Sequence, residues 1–298
     1  MKDLAGRVAF ITGGGSGIGF GIAMCAVEAG MRVFIADVRA DHLDDGLAKL
    51  RAAGAEAHGM LVDVADPAQV ERAAEETIKV CGKVHLVCNN AGVSIFGPMD
   101  AATAGDWRWI MGVNLDGVIN GIQSFVPRLK LHGEGGHIVN TASMAGLLVG
   151  PNMGLYCASK FAVVGLTLSL RYDLAPHGIG VSVLCPGFVR SNIHEAVLSR
   201  PKSLGATGYP VSDAEMKRLD GVLSVGMAPI EVGTHVIAGV RENRQYIFPH
   251  AEFRDELNAV HGELMAALPD REPEEARMAV EDFRRQRRAE AAKLIKNF

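Results

Sequence analysis

The chain has 298 residues, 48% of them hydrophobic, and a formal net charge of -4 at pH 7, which suits one large α/β domain with a sizeable core. Because this charge offers no positive field to the phosphate backbone of a nucleic acid or to an anionic membrane, we expect a small-molecule partner and neither nucleic-acid nor membrane binding. The five cysteines show no CxxC spacing, and the first residues hold no apolar run of signal-peptide length, so we expect a cytoplasmic protein without disulfides.

Seven short runs rich in Val and Ile alternate with amphipathic or Ala-rich stretches. The runs are RVAFITGG, RVFIADV, AHGMLVDV, VHLVCNNAG, HIVNTAS, GVSVLCPG and QYIFP. Strands that alternate with helices build a mostly parallel sheet with helices on both faces. The pattern therefore predicts an α/β fold, a Rossmann-like doubly wound parallel sheet, in which ligands bind outside the carboxyl ends of the strands.

The first predicted strand runs into a glycine-rich loop, ITGGGSGIG from Ile11 to Gly19, that opens a helix. Glycines permit a tight turn and let backbone N–H groups approach a pyrophosphate, which then lies at the positive end of the helix dipole. A flexible surface turn is the alternative interpretation. The position at the first strand-to-helix crossing favours a dinucleotide, although the spacing Gly13, Gly17, Gly19 is not the plain GxGxxG fingerprint.

The second predicted strand ends at Asp37, eighteen residues after Gly19. A carboxylate there can accept hydrogen bonds from the adenosine ribose and would repel a 2′-phosphate. The alternative is a helix cap or a turn. Asp37 therefore favours NAD over NADP, while Arg39 two residues later keeps NADP open as the less favoured cofactor.

The alternation loosens after the sixth run into a long segment with helical pieces, at about residues 188–230. Long segments of this kind often serve as lids or substrate loops. Beyond His250 the chain is charged and helical in pattern. We predict a single domain over residues 1–250 that carries a substrate loop at 188–230, followed by a C-terminal helical extension over 251–298.

Seven motifs follow one another in the order TGGGSGIG (12–19), DV at 63, NNAG (89–92), VNLDG around 114, a serine at 143, YCASK (156–160) and PG at 186. In this order they resemble the classical short-chain dehydrogenase/reductase family over roughly residues 5–250. The resemblance implies an NAD(P)-dependent enzyme that acts on the CH–OH group of an alcohol or on the matching ketone. It also implies hydride transfer without a metal, and the sequence shows no His/Cys/Asp/Glu cluster at metal spacing.

The resemblance assigns catalytic roles to four residues, Asn114, Ser143, Tyr156 and Lys160. Tyr156 would exchange a proton with the substrate oxygen, and Lys160, one helical turn away, would hold the nicotinamide ribose. We expect the positive charges of Lys160 and of an oxidised nicotinamide to lower the pKa of Tyr156 from its usual value near 10. Ser143 would donate to the reacting oxygen, and Asn114 would connect Lys160 to a proton relay through water.

The resemblance also implies contacts along the cofactor. Asp63 and Val64 would lie at the adenine and Ser191 at the carboxamide, where the family usually has threonine. The implied set is Gly13, Ser16, Gly17, Ile18, Gly19, Asp37, Asp63, Val64, Asn90, Ala91, Gly92, Tyr156, Lys160, Pro186, Gly187, Val189 and Ser191.

The segments GVNLDGVINGI, RPKSLGATGY and YIFPH further resemble a narrower group, the bacterial Cα-dehydrogenases that oxidise benzylic alcohols of lignin-derived aryl ethers with NAD. This resemblance implies a bulky hydrophobic or aromatic secondary alcohol. Apolar residues that would suit such a substrate are Leu147, Leu148, Val149, Met153, Leu204 and Met227. The alternative is that they belong to the core or to an oligomer surface. The alternatives are a reductase of a steroid, sugar or acyl ketone, and a non-catalytic NAD(H)-binding module. From the family we expect a homotetramer or a homodimer.

Overall fold

The computed structural model describes residues 1–295, so the last three residues of the predicted extension lie outside the described part. One sheet with strand order β3-β2-β1-β4-β5-β6-β7 forms its centre, and every pairing in it is parallel. The strands are β1 (Val8–Thr12), β2 (Arg32–Asp37), β3 (Ala57–Leu61), β4 (Leu86–Asn89), β5 (Gly136–Thr141), β6 (Ile179–Leu184) and β7 (Tyr246–Ile247). The predicted fold is confirmed, and each of the seven apolar runs overlaps one strand.

The α-helices are α1 (Gly17–Glu28), α2 (Ala40–Ala52), α3 (Pro67–Cys81), α4 (Ala104–Met111), α5 (Gly117–His132), α6 (Gly154–Leu174), α7 (Asp213–Ser224), α8 (Pro229–Arg241), α9 (Arg254–Ala266) and α10 (Glu275–Ile295). One turn of π-helix, Gly112–Asp116, joins α4 to α5. Turns of this kind are rare and often mark functional sites. Here the turn carries Asn114.

Alternate residues of the central strands point to opposite faces of the sheet, which gives the molecule a core on each face. In β1, Ala9 and Ile11 join the core under α1, α2 and α8, whereas Val8 and Phe10 join the core under α3 and α5. The Phe10 ring lies 4.3 Å from the ring of Phe125 in α5. Both faces of the sheet are therefore covered, as the continuous apolar runs predict.

Helices α1 and α8 pack closely enough for only glycine to fit at their crossing. A Cβ atom on Gly21 would lie 2.1 Å from the Pro229 carbonyl oxygen, and one on Gly233 would lie 2.3 Å from the Gly21 oxygen. This contact anchors α1, whose first turn belongs to the glycine-rich loop.

Segment 188–230 contains short 3-10 helices at Ile193–Ser199 and Lys202–Leu204, followed by α7. The five cysteines, all within the described part of the chain, are buried and free. Over residues 1–295, no helix has both the length and the apolar character needed to cross a membrane.

Candidate active site

A cleft of about 1260 Å³ lies at the carboxyl ends of the strands and extends under segment 188–230. Most residues that the sequence assigns to the site line this cleft. They are Gly13, Ser16, Gly17, Ile18, Asp37, Asp63, Val64, Asn90, Ala91, Gly92, Ser143, Tyr156, Lys160, Pro186, Gly187, Val189 and Ser191. The remaining two, Gly19 and Asn114, are buried behind its wall.

The glycine-rich loop forms a cradle at one end of the cleft. Gly13 and Gly17 have φ angles of 61° and 51°, in the left-handed region that favours glycine. A Cβ atom on Gly19 would lie 2.1 Å from the Gly13 carbonyl oxygen, so Gly19 closes the turn from behind. Ser16, the N-cap residue of α1, has extended backbone and makes no capping hydrogen bond through its side chain to the described residues. The first N–H groups of α1 are thus available to an anion.

The Asp37 carboxylate connects β2 to the glycine-rich loop. Its Oδ2 accepts a hydrogen bond from the Gly15 N–H and its Oδ1 accepts one from the Arg39 N–H, both at 3.1 Å. Each carboxylate oxygen has two acceptor positions, so Asp37 can still accept a hydroxyl hydrogen bond from the cleft.

Two threonines that no sequence motif indicates, Thr12 and Thr141, fix the loop after β4 at the middle of the cleft. The Thr12 hydroxyl accepts hydrogen bonds from the N–H groups of Asn90 and Ala91 at 2.9 and 3.0 Å. The Thr141 hydroxyl donates to Asn90 Oδ1 at 3.3 Å. Asn90 therefore bridges the ends of β1 and β5, and the loop after β4 is fixed from both sides.

Lys160 is 3% exposed, and its Nζ donates to the Thr141 carbonyl oxygen at 3.0 Å. Burial lowers the pKa of this ammonium to about 8. A Cβ atom built on Gly92 would lie 3.4 Å from both Lys160 Nζ and Asn114 Oδ1. The Lys160 ammonium, the Asn114 amide and the loop after β4 consequently meet at one point.

Asn114 makes its contacts inside the protein. Its amide nitrogen donates to the Val93 carbonyl oxygen and to the Ser159 hydroxyl, each at 3.0 Å, and its Oδ1 accepts from the Val93 N–H at 2.8 Å. The side chain thus ties the π-turn to the loop after β4 and to α6.

Tyr156 lies on α6 with a half-buried ring that faces the cleft. Its ring meets the Phe96 ring edge to face at 5.9 Å, and Lys160 Nζ lies 5.6 Å from its centroid. Burial raises the pKa of Tyr156 to about 12, and the nearby Ser143 hydroxyl only partly offsets this rise. Among the chain's own residues, burial therefore dominates the pKa of Tyr156. The predicted lowering also relies on the charge of an oxidised nicotinamide and stays a prediction.

Ser143 follows the end of β5 and lies beside the PG motif. Its hydroxyl accepts from the Ala145 N–H at 3.1 Å and donates to the Pro186 carbonyl oxygen at 3.4 Å. The second of these bonds is long, so the hydroxyl can turn towards another acceptor in the cleft.

His250 contacts the backbone of the PG motif and of the residue after it, and no sequence motif indicates this role. Its Nδ1 accepts from the Gly187 N–H at 3.1 Å, and its Nε2 lies 3.0 Å from the Phe188 carbonyl oxygen. These partners assign the neutral ring with its proton on Nε2. A Cβ atom on Gly187 would lie 2.5 Å from the Phe253 ring, so the start of the C-terminal region holds the loop after β6.

The walls beyond Tyr156 are largely apolar. Phe96, Val149 and Phe188 line the cleft with 41%, 73% and 62% of their surface exposed. The expected residues Leu148, Val149, Met153 and Leu204 also line it. Leu147 and Met227 instead pack against core clusters, which is the alternative interpretation of these two residues.

Segment 188–230 is fastened to α4 by a buried carboxylate. Asp106 forms an ion pair with Arg200 at 3.1 Å and accepts from the Gly208 N–H at 2.9 Å. Although burial alone would raise it, the pKa of Asp106 is lowered to about 2 by hydrogen bonds from the backbone of Gly208 and Thr103. The Tyr209 hydroxyl donates to the Pro98 carbonyl oxygen at 2.7 Å. This part of the segment is a fixed wall of the cleft.

Known proteins resemble the chain over nearly its whole length. A family model described as short chain dehydrogenase matches residues 7–202. The C alpha-dehydrogenase of Sphingobium sp. strain NBRC 103272 / SYK-6 is 40% identical over 284 residues, which cover 94% of this chain and 93% of that protein. A short chain dehydrogenase/reductase from Burkholderia phymatum in complex with NAD has a TM-score of 0.85 at 39% identity and covers 92% of this chain and 99% of that one. The apo form of LigO from Sphingobium sp. strain SYK-6 has a TM-score of 0.76 at 38% identity, and the match covers 96% of this chain and 98% of that one.

Proposed function

Because the chain belongs to the short-chain dehydrogenase family, whose members oxidise alcohols or reduce ketones with a nicotinamide cofactor, we propose that it oxidises a bulky, apolar secondary alcohol to the ketone with NAD. The observation that carries this proposal is the position of Tyr156, whose phenol faces the cleft between apolar walls and the Lys160 ammonium. A benzylic alcohol is the substrate class that suits such walls best.

The residues of the cleft fit a dinucleotide. The uncapped start of α1 suits the pyrophosphate, and Asp37 keeps acceptor capacity for a ribose. Asp63 and Val64 would hold the adenine, Lys160 the second ribose, and the backbone around Val189 the carboxamide. When bound, the nicotinamide supplies the hydride acceptor or donor. The carboxylate of Asp37 favours NAD because a 2′-phosphate would be repelled there.

Tyr156 is the residue that we assign to proton exchange with the substrate oxygen. During oxidation it removes the hydroxyl proton, and during reduction it returns a proton to the ketone oxygen. Ser143 lies beside it and donates to the same oxygen as negative charge develops. Lys160 holds positive charge 5.6 Å from the phenol ring, which favours the phenolate whenever the lysine is protonated.

Two features support an aromatic substrate. Phe96 meets Tyr156 edge to face, so a flat ring next to the phenol would find an aromatic neighbour. The similar protein from Sphingobium is a C alpha-dehydrogenase, and a carbon alpha to an aromatic ring carries a benzylic alcohol.

The test is a Tyr156→Phe variant assayed with benzylic, alicyclic and straight-chain secondary alcohols. We expect NAD affinity by calorimetry to stay the same and turnover to fall about 10²- to 10⁴-fold, because only the proton exchange is removed. Tyr172→Phe is the matched control, since the Tyr172 hydroxyl accepts a hydrogen bond from Arg288 outside the cleft. Unchanged turnover in Tyr156→Phe would remove this residue from the mechanism.

Ketone reduction is the second candidate, and one observation favours it. The pKa of Tyr156 is raised to about 12 by burial, so the chain's own residues favour the protonated phenol, which is the form that donates. Rates in both directions with one alcohol and its ketone at equal pH decide between the candidates. A reduction rate far above the oxidation rate at cellular ratios of NAD to NADH would favour the reductase.

A further inference from the structure

Arg39 is the residue that leaves NADP open as a cofactor, and all three nitrogen atoms of its guanidinium donate hydrogen bonds to carboxylates. Nε and Nη2 donate to the two carboxylate oxygens of Asp41 at 3.1 and 2.5 Å. Nη1 donates to Glu195 Oε2 at 2.5 Å. Arg39 and Glu195 both line the cleft, as does Asp37.

Glu195 reaches this position from the other side of the cleft. It belongs to the 3-10 helix Ile193–Ser199 in segment 188–230. Two neighbouring contacts support the same approach. Asn192 Nδ2 lies 3.5 Å from His42 Nε2 in α2, and a Cβ atom on Gly17 would lie 3.0 Å from the Ser191 side chain. The segment thus lies across the end of the cleft where Asp37 would meet the adenosine ribose.

We propose that Glu195 is a cofactor-specificity residue, which withholds the Arg39 guanidinium from a 2′-phosphate and adds negative charge at that place. The inference rests on the proposed preference for NAD. A 2′-phosphate carries up to two negative charges and binds arginine best through two parallel hydrogen bonds. In this chain it would compete with Glu195 and Asp41 for the guanidinium and would lie near both carboxylates.

Asp41 keeps its negative charge across the physiological pH range. Hydrogen bonds from the Arg39 guanidinium lower the pKa of Asp41 to about 2. Arg39 and Glu195 are partly exposed, at 29% and 33% of their side chains, so water screens their pairing. The expected effect of losing Glu195 is therefore moderate, about three- to tenfold in NADP affinity.

The experiment compares NAD and NADP binding to the full chain by calorimetry, with 5′-AMP and 2′,5′-ADP as probes of the adenosine end alone. In Glu195→Gln we expect NADP and 2′,5′-ADP to bind about three- to tenfold more tightly, and NAD and 5′-AMP to change less than about twofold. Glu242→Gln is the matched control, since its carboxylate forms an exposed ion pair with Arg244. It removes the same charge and should leave all four affinities unchanged.

A double-mutant cycle with Arg39→Gln tests whether Glu195 acts through the arginine. With Arg39 removed, Glu195→Gln should no longer tighten NADP binding by more than about twofold. An unchanged NADP to NAD affinity ratio in Glu195→Gln would overturn the inference while leaving the NAD preference intact. Equal affinities of the unaltered protein for NAD and NADP would instead refute the proposed NAD preference.

Discussion

At the scale of single residues, the site depends on two ionisable groups whose burial shifts their pKa values in opposite directions, away from each other. The pKa of Tyr156 is raised to about 12 and that of Lys160 is lowered to about 8. Both shifts favour the uncharged side chains. Forming the Tyr156 phenolate or keeping the Lys160 ammonium, as catalysis needs, therefore costs free energy. This pattern is typical of catalytic groups, whereas residues that only stabilise a fold are rarely buried in this way.

The pH dependence of the two reaction directions should differ. Oxidation needs the Tyr156 phenolate, and because the pKa of Tyr156 lies far above neutrality, the oxidation rate should rise, approaching tenfold per unit, from about pH 6 to about pH 8, where Lys160 begins to lose its proton. Ketone reduction uses the phenol and should stay level over that range. Initial rates in both directions with one alcohol and ketone pair measure this. An oxidation rate that falls as pH rises would contradict the assignment of Tyr156.

Replacing Lys160 by methionine should abolish turnover and stabilise the protein. The pKa of Lys160 is about 8 in the fold and 10.5 as its ordinary value, so between these values the unfolded chain binds more protons and the free energy of unfolding rises with pH. At neutral pH the unaltered protein therefore bears the full free-energy cost of burying the Lys160 ammonium. Lys160→Met should accordingly be more stable by about 1 to 3 kcal/mol. Urea unfolding should show this gain shrink above about pH 8. A loss of stability at neutral pH would contradict the argument.

A site residue can be predicted from the sequence when the residues that indicate its role lie close to it along the chain. Tyr156, Lys160 and the glycine-rich loop follow strand ends or helix starts with fixed short spacing, so the sequence reveals them. The partners that hold them come from elsewhere, as His250 does for Gly187, 63 residues away, and Glu195 for Arg39, 156 residues away. Nothing near these residues in the sequence indicates such contacts. The rise in the pKa of Tyr156 is not indicated by the sequence, because desolvation depends on the whole cleft and not on the nearest charge.

At the scale of secondary-structure elements, the strands were predictable because both core faces require unbroken apolar runs. The exact ends of the helices were harder to predict. Asp is a preferred N-cap residue, but α2 begins at Ala40 after Arg39 as N-cap. Asp41 lies in its first turn instead, where it pairs with Arg39. The side chain that would have capped the helix forms an ion pair at the edge of the cleft.

The crossing of α1 and α8 should tolerate no side chain. Gly21→Ala puts a Cβ atom 2.1 Å from the Pro229 carbonyl oxygen, so the helices must separate, and we expect a loss of about 1 to 3 kcal/mol in the free energy of unfolding. Gly262→Ala in α9 is the control, because no atom lies within 4 Å of its added Cβ. That variant should be neutral or slightly more stable. Urea unfolding of both variants checks the prediction, and equal effects would contradict it.

The ion pair between Arg200 and Asp106 should hold segment 188–230 in place. In Arg200→Ala the buried Asp106 loses its counter-charge, so this wall should loosen. We expect faster amide hydrogen exchange around residues 196–210 and a KM for a bulky alcohol raised about threefold or more, with NAD affinity nearly unchanged. Arg244→Ala, which breaks only an exposed pair with Glu242, is the control. Unchanged exchange in Arg200→Ala would mean that other contacts suffice.

At the scale of the whole molecule, we expect copies of the chain to associate through α5, α6 and the β7 edge, as members of the family commonly do. Phe161 on α6 is 44% exposed, and β7 ends the sheet. Light scattering should give two or four times the chain mass of 31.6 kDa, and Phe161→Glu should lower that mass. A single chain mass for the unaltered protein would contradict this expectation.

The strand order also has a consequence for how the protein folds. β1 pairs with β2 and, on its other side, with β4, and the Thr12 hydroxyl meets Asn90, 78 residues later in the chain. Closing such long loops is entropically costly, so sheets of this kind fold slowly. During synthesis β1, β2 and β3 emerge together, whereas the cleft needs α6 and the loop after β6. The protein therefore gains its catalytic geometry late, and the nascent chain carries an unpaired edge on β1 until β4 arrives.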